Sequence, residues 1–476
     1  MVFASPLFLF LFLPATIVAY FALPRRFRNA VLLVASLAFY AWGEARYVPL
    51  ILASVAFNWS MGLAIARASD AGARKRRLVA AVSGNLATLA VFKYANFAVA
   101  NVDAIAPVFG LAPVALAAIP LPLGISFFTF HAISYVVDVY KRTASAQRDV
   151  REFALYILLF PQLIAGPIIR YRDIAAQLAS HPASTSDFAY GVRRFIVGLG
   201  KKLLIANTLG ATADAIFALP GNELAAPVAW LGIACYTLQI YFDFSGYSDM
   251  AIGLMRMFGF RILENFDYPY IARSIREFWR RWHISLSNWF RDYLYIPLGG
   301  NRRGAARAYA NLVVVFLLCG LWHGASWPFV VWGAWHGLFL VIERAGLERP
   351  LARHPALAHA YALAAVMGGW VLFRCDTLAH AGAFYRALLG FSTADPALHP
   401  PGEFVNPLLV ATLACGVLFS MPVAPSIARW TQRFVSRPLA GPFVLTVDGV
   451  AITLVFIAAA AMLAAGTYNP FIYFRF

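Results

Sequence analysis

The sequence predicts an all-α, polytopic transmembrane protein whose spans are joined by re-entrant and amphipathic interfacial helices. Three observations predict it. Of the 476 residues, 61% are hydrophobic and only 13% charged, where a soluble domain carries about 25%. The mean hydropathy is +0.69. Apolar runs recur along the whole length, many of them near the ~20 residues that a helix needs to cross the hydrocarbon. The short alternating segments of a membrane β-barrel are not found.

The apolar segments lie at 4–23, 29–42, 47–67, 78–100, 119–140, 153–170, 188–218, 226–258, 308–323, 326–342, 357–374, 403–422 and 444–466. The first has no basic leader, and Arg25 and Arg26 follow Pro24 with no small-residue cleavage site between. It therefore reads as a retained first span with Met1 outside. Shorter runs, and those holding Gly and Pro, read as re-entrant, because non-helical backbone at membrane depth survives only where protein or water covers it. The net charge of +17 collects in Arg25–Arg28, Arg74–Arg77 and the stretch Arg256–Arg307. Short basic loops between apolar runs follow the positive-inside rule, which argues for cytoplasmic loops and against a nucleic-acid partner. Cys235, Cys319, Cys375 and Cys415 stand singly, so neither a zinc knuckle nor a disulfide framework is indicated. No solenoid repeat, low-complexity linker or soluble domain interrupts the chain, which reads as one transmembrane domain over 1–476.

The largest polar excursion is 259–307, and its core reads SIREFWRRWHISLSNWFRDYLYIPLGGNRRG. Ile275, Phe278, Trp279, Trp282, Leu286, Trp289, Phe290 and Tyr293 are spaced mostly by three and four, which is one helix face. Arg276, Arg280, Asn288 and Arg291 fall on the other side, and PLGG ends the element. A basic amphipathic helix of this kind lies along a membrane surface or lines a water-filled funnel. His283, at the edge of the apolar face, is more than an anchor needs.

Polar groups inside the membrane are costly and rare. Lys93 reads as snorkelling or paired with a carboxylate. Gln239 and Asp243, four apart, read as glue between helices, and Asp249 as a cap or a partner of Arg256. His131 and His336 read as satisfied histidines donating to backbone carbonyls. His323 is different. The run 308–342 has no Asp, Glu, Lys or Arg, and as one helix it would extend ~52 Å at ~1.5 Å per residue, against ~30 Å of hydrocarbon. Gly320, Gly324 and Pro328 are the break signals, so His323 is expected at a helix end inside the membrane. A buried imidazole is neutral, and beside oriented backbone groups it suits a general base for acyl transfer. Cys319, one turn before His323, offers a competing Cys–His pair. A metal site is not expected, because His283, His323 and His336 form no HxxxH or HExxH box.

These motifs together resemble a known family. YFDFSGYSDMAIG, EFWRRWHISLSNWFRDYLYIPLGGNR and GLWHGASWPFVVWGAWHG follow a basic GLGKKLLIAN, with FPQLIAGPIIRY upstream and NPFIYFRF at the C-terminus. In that order they resemble the membrane-bound O-acyltransferases, nearest to the bacterial alginate O-acetyltransferase branch, over nearly the whole chain. The resemblance implies helices around a central funnel open to the cytoplasm, in a bacterial inner membrane. It places the family's invariant histidine on His323 and its upstream His or Asn on His283. It also implies an acyl thioester donor, acetyl-CoA, with no bound cofactor. The acetyl group would pass towards the periplasm, where partner proteins place it on an exopolysaccharide.

On both grounds His323 is expected to accept the proton of the attacking hydroxyl, and His283 to position the thioester or hydrogen-bond the developing oxyanion. Trp279, Arg280, Asn288, Trp322 and Asp243 are the expected substrate-binding residues, and the arginines around 276–303 the attraction for phosphates. Two other readings stand beside this one. A D-alanyl transferase would use the same motifs with a thioester on a carrier protein. A lipid or polysaccharide channel would account for the spans and basic loops but not for His283 or the doubled Trp-His-Gly.

Overall fold

The computed structural model describes residues 1–114, 116–302, 304–435 and 440–466. Arg303 and the C-terminal NPFIYFRF lie outside the described residues. Among the described residues the secondary structure is helical and contains no strand. The chain divides into two compact units, 1–191 with 254–263, and 192–253 with 264–476.

The first unit is built from α1 (Leu13–Ala22), α2 (Arg28–Glu44), α3 (Val48–Ala66), α4 (Ala71–Leu89), α5 (Ala95–Ile105), α6 (Ile125–Lys141), α7 (Val150–Leu158), α8 (Phe160–Leu163), α9 (Tyr171–Ala179) and the start of α10 (Thr185–Gly200). Asp70 caps α4 by accepting from the Ala73 N–H at 2.8 Å, a common helix start. The run 153–170, expected as one span, is broken. α7 stops at Leu158, α8 lasts one turn, and Ile164–Ile169 is irregular yet buried. Pro161, Gly166 and Pro167 prevent a continuous ladder, and surrounding protein supplies the missing partners. Tyr156 Oη donates to the Ile169 carbonyl at 2.9 Å, and His131 Nε2 accepts from the Ile169 N–H at 3.3 Å. His131 thus receives a backbone bond here rather than donating one. Lys93 does not snorkel: it is buried, with Nζ 3.3 Å from Ser126 Oγ.

The second unit continues with α11 (Asn207–Phe217), α12 (Ala226–Met257), α13 (Ile275–Arg281), α14 (Ile284–Phe290), α15 (Ala305–His323), α16 (Trp327–Ile342), α17 (Glu348–Ala352), α18 (Pro355–Arg374), α19 (Leu378–Leu388), α20 (Pro401–Phe404), α21 (Pro407–Phe419), α22 (Val423–Val435) and α23 (Ala440–Ala464). α12 carries Gln239, Asp243 and Asp249 and is buried along most of its length. Its polar residues are met by α10 and the π-turn that follows. Asp243 lies 2.6 Å from Lys202, both side chains almost fully enclosed. Asp249 is 2.7 Å from both Arg194 and Lys201, whereas Arg256, its expected partner, belongs to the first unit and pairs there with Asp187 at 2.9 Å. The two helices meet at Gly198 and Gly246: a Cβ on Gly198 would stand 2.5 Å from the Gly246 carbonyl oxygen. α22 is a second amphipathic element, with exposed Ile427 and Trp430 on one side and Arg429 and Arg433 on the other. That pattern suits a helix lying in the membrane interface.

Among the described residues five helical stretches are long and apolar enough to cross a membrane: Arg25–Ala66, Ala71–Phe109, Ala305–His323, Pro355–Arg374 and Gly441–Ala464, with Phe8–Ala22 and Pro407–Phe419 shorter. The first of the five joins two expected segments, 29–42 and 47–67. The run 308–342 is broken where its glycines and proline lie. α15 ends on His323, Gly324 is extended at φ −156°, and α16 starts at Trp327. The two helices pack back to back on glycines. A Cβ on Gly320 would stand 2.2 Å from the Phe329 carbonyl oxygen, and one on Gly333 2.3 Å from that of Phe316. Backbone cannot yield as a side-chain tip can, so Gly320→Ala is expected to destabilise the purified protein by about 1–3 kcal/mol. Thermal unfolding in detergent checks this, and an unchanged midpoint would contradict the close crossing.

Candidate active site

α13 is anchored at its N-terminus. Ser274 accepts from the Glu277 N–H at 3.0 Å, and the buried Glu343 carboxylate accepts from the Ile275 and Arg276 N–H groups at 2.5 and 3.0 Å. The expected single helix across 275–295 does not form. It stops at Trp282, which is extended, and His283 takes a left-handed conformation at φ 45°, ψ 53° before α14 begins. A non-glycine residue there costs about 1–3 kcal/mol and persists only where its surroundings over-determine it. They do so through Asn265. Its carbonyl takes the Ile284 N–H at 3.0 Å, and its side-chain oxygen takes the Ser285 N–H at 3.1 Å. The break therefore comes from a partner outside the helix, which helical periodicity does not register.

The His283 ring is fully buried. Its Nδ1 is 3.1 Å from Asn265 Oδ1, its face meets Phe244 edge-on at 4.7 Å, and its Nε2 has no hydrogen-bond partner among the described residues. Burial alone drives its pKa well below the ordinary histidine range, so the resting ring is neutral. His323, the last residue of α15, packs against Trp322, Trp332 and Phe373 with ring centroids at 4.9, 5.1 and 5.3 Å. The His283 ring lies 6.4 Å from that of Trp322. One indole, that of Trp322, thus contacts both histidines.

A cavity of about 400 Å³ opens beside them, between α13, α14, α15 and α16. Trp279, Arg280 and Asn288 line it, with Arg276, Arg291 and Cys319. Its remaining wall is largely apolar, through residues such as Leu312, Val315, Phe316 and Leu340. Arg276 is paired with Glu348 and Arg291 with Asp292. Arg280 is exposed and meets no carboxylate among the described residues, so it is a cation available to a ligand. The histidines do not line the cavity themselves; Arg280, Ile284 and Cys319, close to them in sequence, do.

Other expectations are corrected. Asp243, expected in substrate binding, does not line this cavity and is paired with Lys202; an intramembrane carboxylate of this kind is stabilised by pairing. His336 does not donate to a carbonyl. Its Nδ1 accepts from the Trp279 indole N–H at 3.3 Å, which sets the angle of a cavity-wall tryptophan. Asn265, Ser285 and Glu343 escaped the sequence reading; only the Asn–Phe–Asp–Tyr–Pro turn pattern around Asn265 carried any signal. Among the described residues no group of three or more His, Cys, Asp or Glu side chains is arranged to hold a metal.

Cys319 does stand on the cavity wall, buried at 4% exposure. It fills space as a small packing residue, so Cys319→Ser is expected to keep most of the parent's turnover. Mass spectrometry of enzyme quenched during turnover checks this: an acyl group on the Cys319 sulfur would make it the nucleophile.

Comparison with known proteins bears directly on this arrangement. The sequence profile of the membrane-bound O-acyltransferase family matches residues 118–374. The chain is 43% identical to a probable alginate O-acetylase of Pseudomonas putida over all of both chains. It is 35% identical to the peptidoglycan O-acetyltransferase of Helicobacter pylori, over 82% of this chain and 80% of that one. A teichoic acid D-alanyltransferase of Bacillus subtilis is 29% identical over 46% of this chain and 58% of its own. The matched region runs from α6 through the cavity and the hairpin that ends on His323, and an acyltransferase is what such a site serves: this chain belongs to the membrane-bound O-acyltransferase family.

Proposed function

We propose that the protein is an inner-membrane O-acetyltransferase that takes acetyl groups from acetyl-CoA on the cytoplasmic side. It passes them across the membrane for O-acetylation of a secreted polysaccharide such as alginate. The observation that carries the reading is the full-length likeness to alginate O-acetylases, set beside two buried histidines and a cavity with an unpaired arginine. The likeness to D-alanyltransferases covers under half of this chain, which favours acetyl over D-alanyl. Arg280 offers a charge-assisted contact for a CoA phosphate, and the apolar wall suits a pantetheine arm. Acyl transfer then requires a proton acceptor for the attacking hydroxyl and a donor for the developing oxyanion. His323 and His283 share those tasks. Periplasmic partner proteins complete the transfer to the polysaccharide.

The test is to give the purified protein labelled acetyl-CoA and, separately, a D-alanyl-charged carrier protein. Thioester turnover with acetyl-CoA alone is the expected result. Turnover with the carrier alone makes the chain a D-alanyl transferase, and turnover with neither favours a channel. The same reading places the basic loops in the cytoplasm. A single cysteine at Lys75 or Arg302, both exposed, is expected to resist a membrane-impermeant thiol reagent applied from the periplasmic side; labelling of either reverses the orientation.

A further inference from the structure

We infer that the cavity between the end of α1, the start of α2 and the start of α10 is a binding site for the phosphate group of an anionic membrane lipid, with Arg25 and Arg28 as its cations. The inference does not depend on the acyl-transfer reading, and all of its residues belong to the first unit.

α1 ends at Ala22, and a single 3₁₀ turn, Arg25–Phe27, follows Pro24 before α2 begins at Arg28. Residues three apart in such a turn lie on one side, so Arg25 and Arg28 share a side that Arg26 does not. Both line a cavity of about 390 Å³ with Phe21, Ser184, Thr185 and Phe188. Arg26 is not part of its wall and lies over the Phe27 ring instead. No carboxylate lines the cavity. Asp187, in the first turn of α10, is taken by Arg256 at 2.9 Å and Arg261 at 3.2 Å, and accepts from Ser184 Oγ at 2.8 Å. Arg28 Nε is enclosed and has no hydrogen-bond partner among the described residues. A buried donor left unmet is costly, and a phosphate oxygen would meet it with a charge-assisted bond. The walls are held in place. Arg28 lies over the Tyr20 and Phe21 rings at 4.8 and 5.4 Å and hydrogen-bonds Tyr20, whose Oη donates to the Phe258 carbonyl at 2.7 Å. Asn29 donates to the Leu178 carbonyl at 2.8 Å and accepts from His181 Nε2 at 2.6 Å, which ties α2 to the chain leading into α10. Cations fixed beforehand lose little freedom on binding.

Position and lining favour a lipid over a soluble phosphate. The cavity opens at the end of the apolar helical stretch Phe8–Ala22. Phe21, which lines it, packs edge-on against Phe188 at 5.6 Å. Ala15, Val18 and Phe21, each three residues apart, stay exposed along α1 and form an apolar track that leads away from the cations. A phosphodiester seated between the arginines lays its acyl chains against that track, for which a free phosphate has no use. Basic residues just beyond a membrane span are expected from topology alone, and they attract anionic headgroups diffusely. A shared cavity that takes in Arg25 and Arg28 and leaves out Arg26 is more than either effect needs.

The test uses the full chain purified in detergent and needs no activity. Native mass spectrometry measures the retention of phosphatidylglycerol and of phosphatidylcholine with the same acyl chains. The parent is expected to hold phosphatidylglycerol the more tightly. Arg25→Gln and Arg28→Gln should each weaken that binding about tenfold, the loss of one charge-assisted contact. Arg26→Gln removes the same charge from outside the cavity and should change it by less than about twofold, as for an exposed surface charge. Arg25 is exposed, so its variant decides the matter if the stacked Arg28 proves necessary for folding. Equal retention of the two lipids, or an Arg26→Gln effect as large as that of Arg25→Gln, reduces the site to diffuse surface charge and overturns the inference. Inorganic phosphate at the lipid's concentration should not displace phosphatidylglycerol. Displacement makes the cavity a site for soluble phosphate and overturns the lipid assignment.

Discussion

His323→Ala is expected to lower acetyl transfer by about 10²–10⁴-fold, the usual cost of removing a general base. The ring packs against Trp322, Trp332 and Phe373, so some stability is lost too, and the assay must be made at matched membrane abundance. His323→Gln should not recover the loss, because an amide cannot accept the hydroxyl proton. His336→Ala is the control. It frees the Trp279 indole and should weaken donor binding more than turnover, raising KM while kcat changes little. An active His323→Ala enzyme would remove that residue from the mechanism, and a dead His336→Ala enzyme beside it would move the chemistry to the second Trp-His-Gly.

His283→Ala is expected to lose about 10²-fold or more in acetyl transfer, the cost of removing a hydrogen-bonding group at the reacting centre, while His283→Asn keeps measurable transfer. An asparagine amide can still donate and accept hydrogen bonds, though it cannot carry a proton. Rates of acetyl transfer for the two variants, compared with each other, decide the matter. Equal loss in both would make the ring's basicity essential. His283 is also strained at φ 45°, so asparagine, which tolerates the left-handed region better than most residues, is the better folded of the pair. That makes its activity the fairer reading of the ring's basicity.

The features legible in the sequence were those with a local cause. Gly320, Gly324 and Pro328 lie within nine residues of one another, and with a run too long for one span they located the end of α15 at His323. The helical character of α13 and α14 was legible from the apolar spacing, but not which residues share the cavity: Trp279 from the apolar face and Arg280 and Asn288 from the other side all line it. The pairing of Asp243 was not legible, because Lys202 lies in the turn between α10 and α11, 41 positions away in the sequence. The break at Trp282–His283 was missed because apolar spacing of three and four continues straight through it.

The sequence by itself determined the membrane class and the approximate path of the apolar segments. Each follows from the composition or order of neighbouring residues, and the cost of polar groups in hydrocarbon makes such patterns stringent. Tertiary structure alone decided that Asn265 meets the His283 ring, and that among the described residues Arg276 and Arg291 are paired with carboxylates while Arg280 is not. A buried ring is held by whichever acceptor reaches it. The acceptor here lies 18 residues upstream, in an irregular segment whose position depends on α12 and α13 together, and no local pattern encodes a contact of that kind.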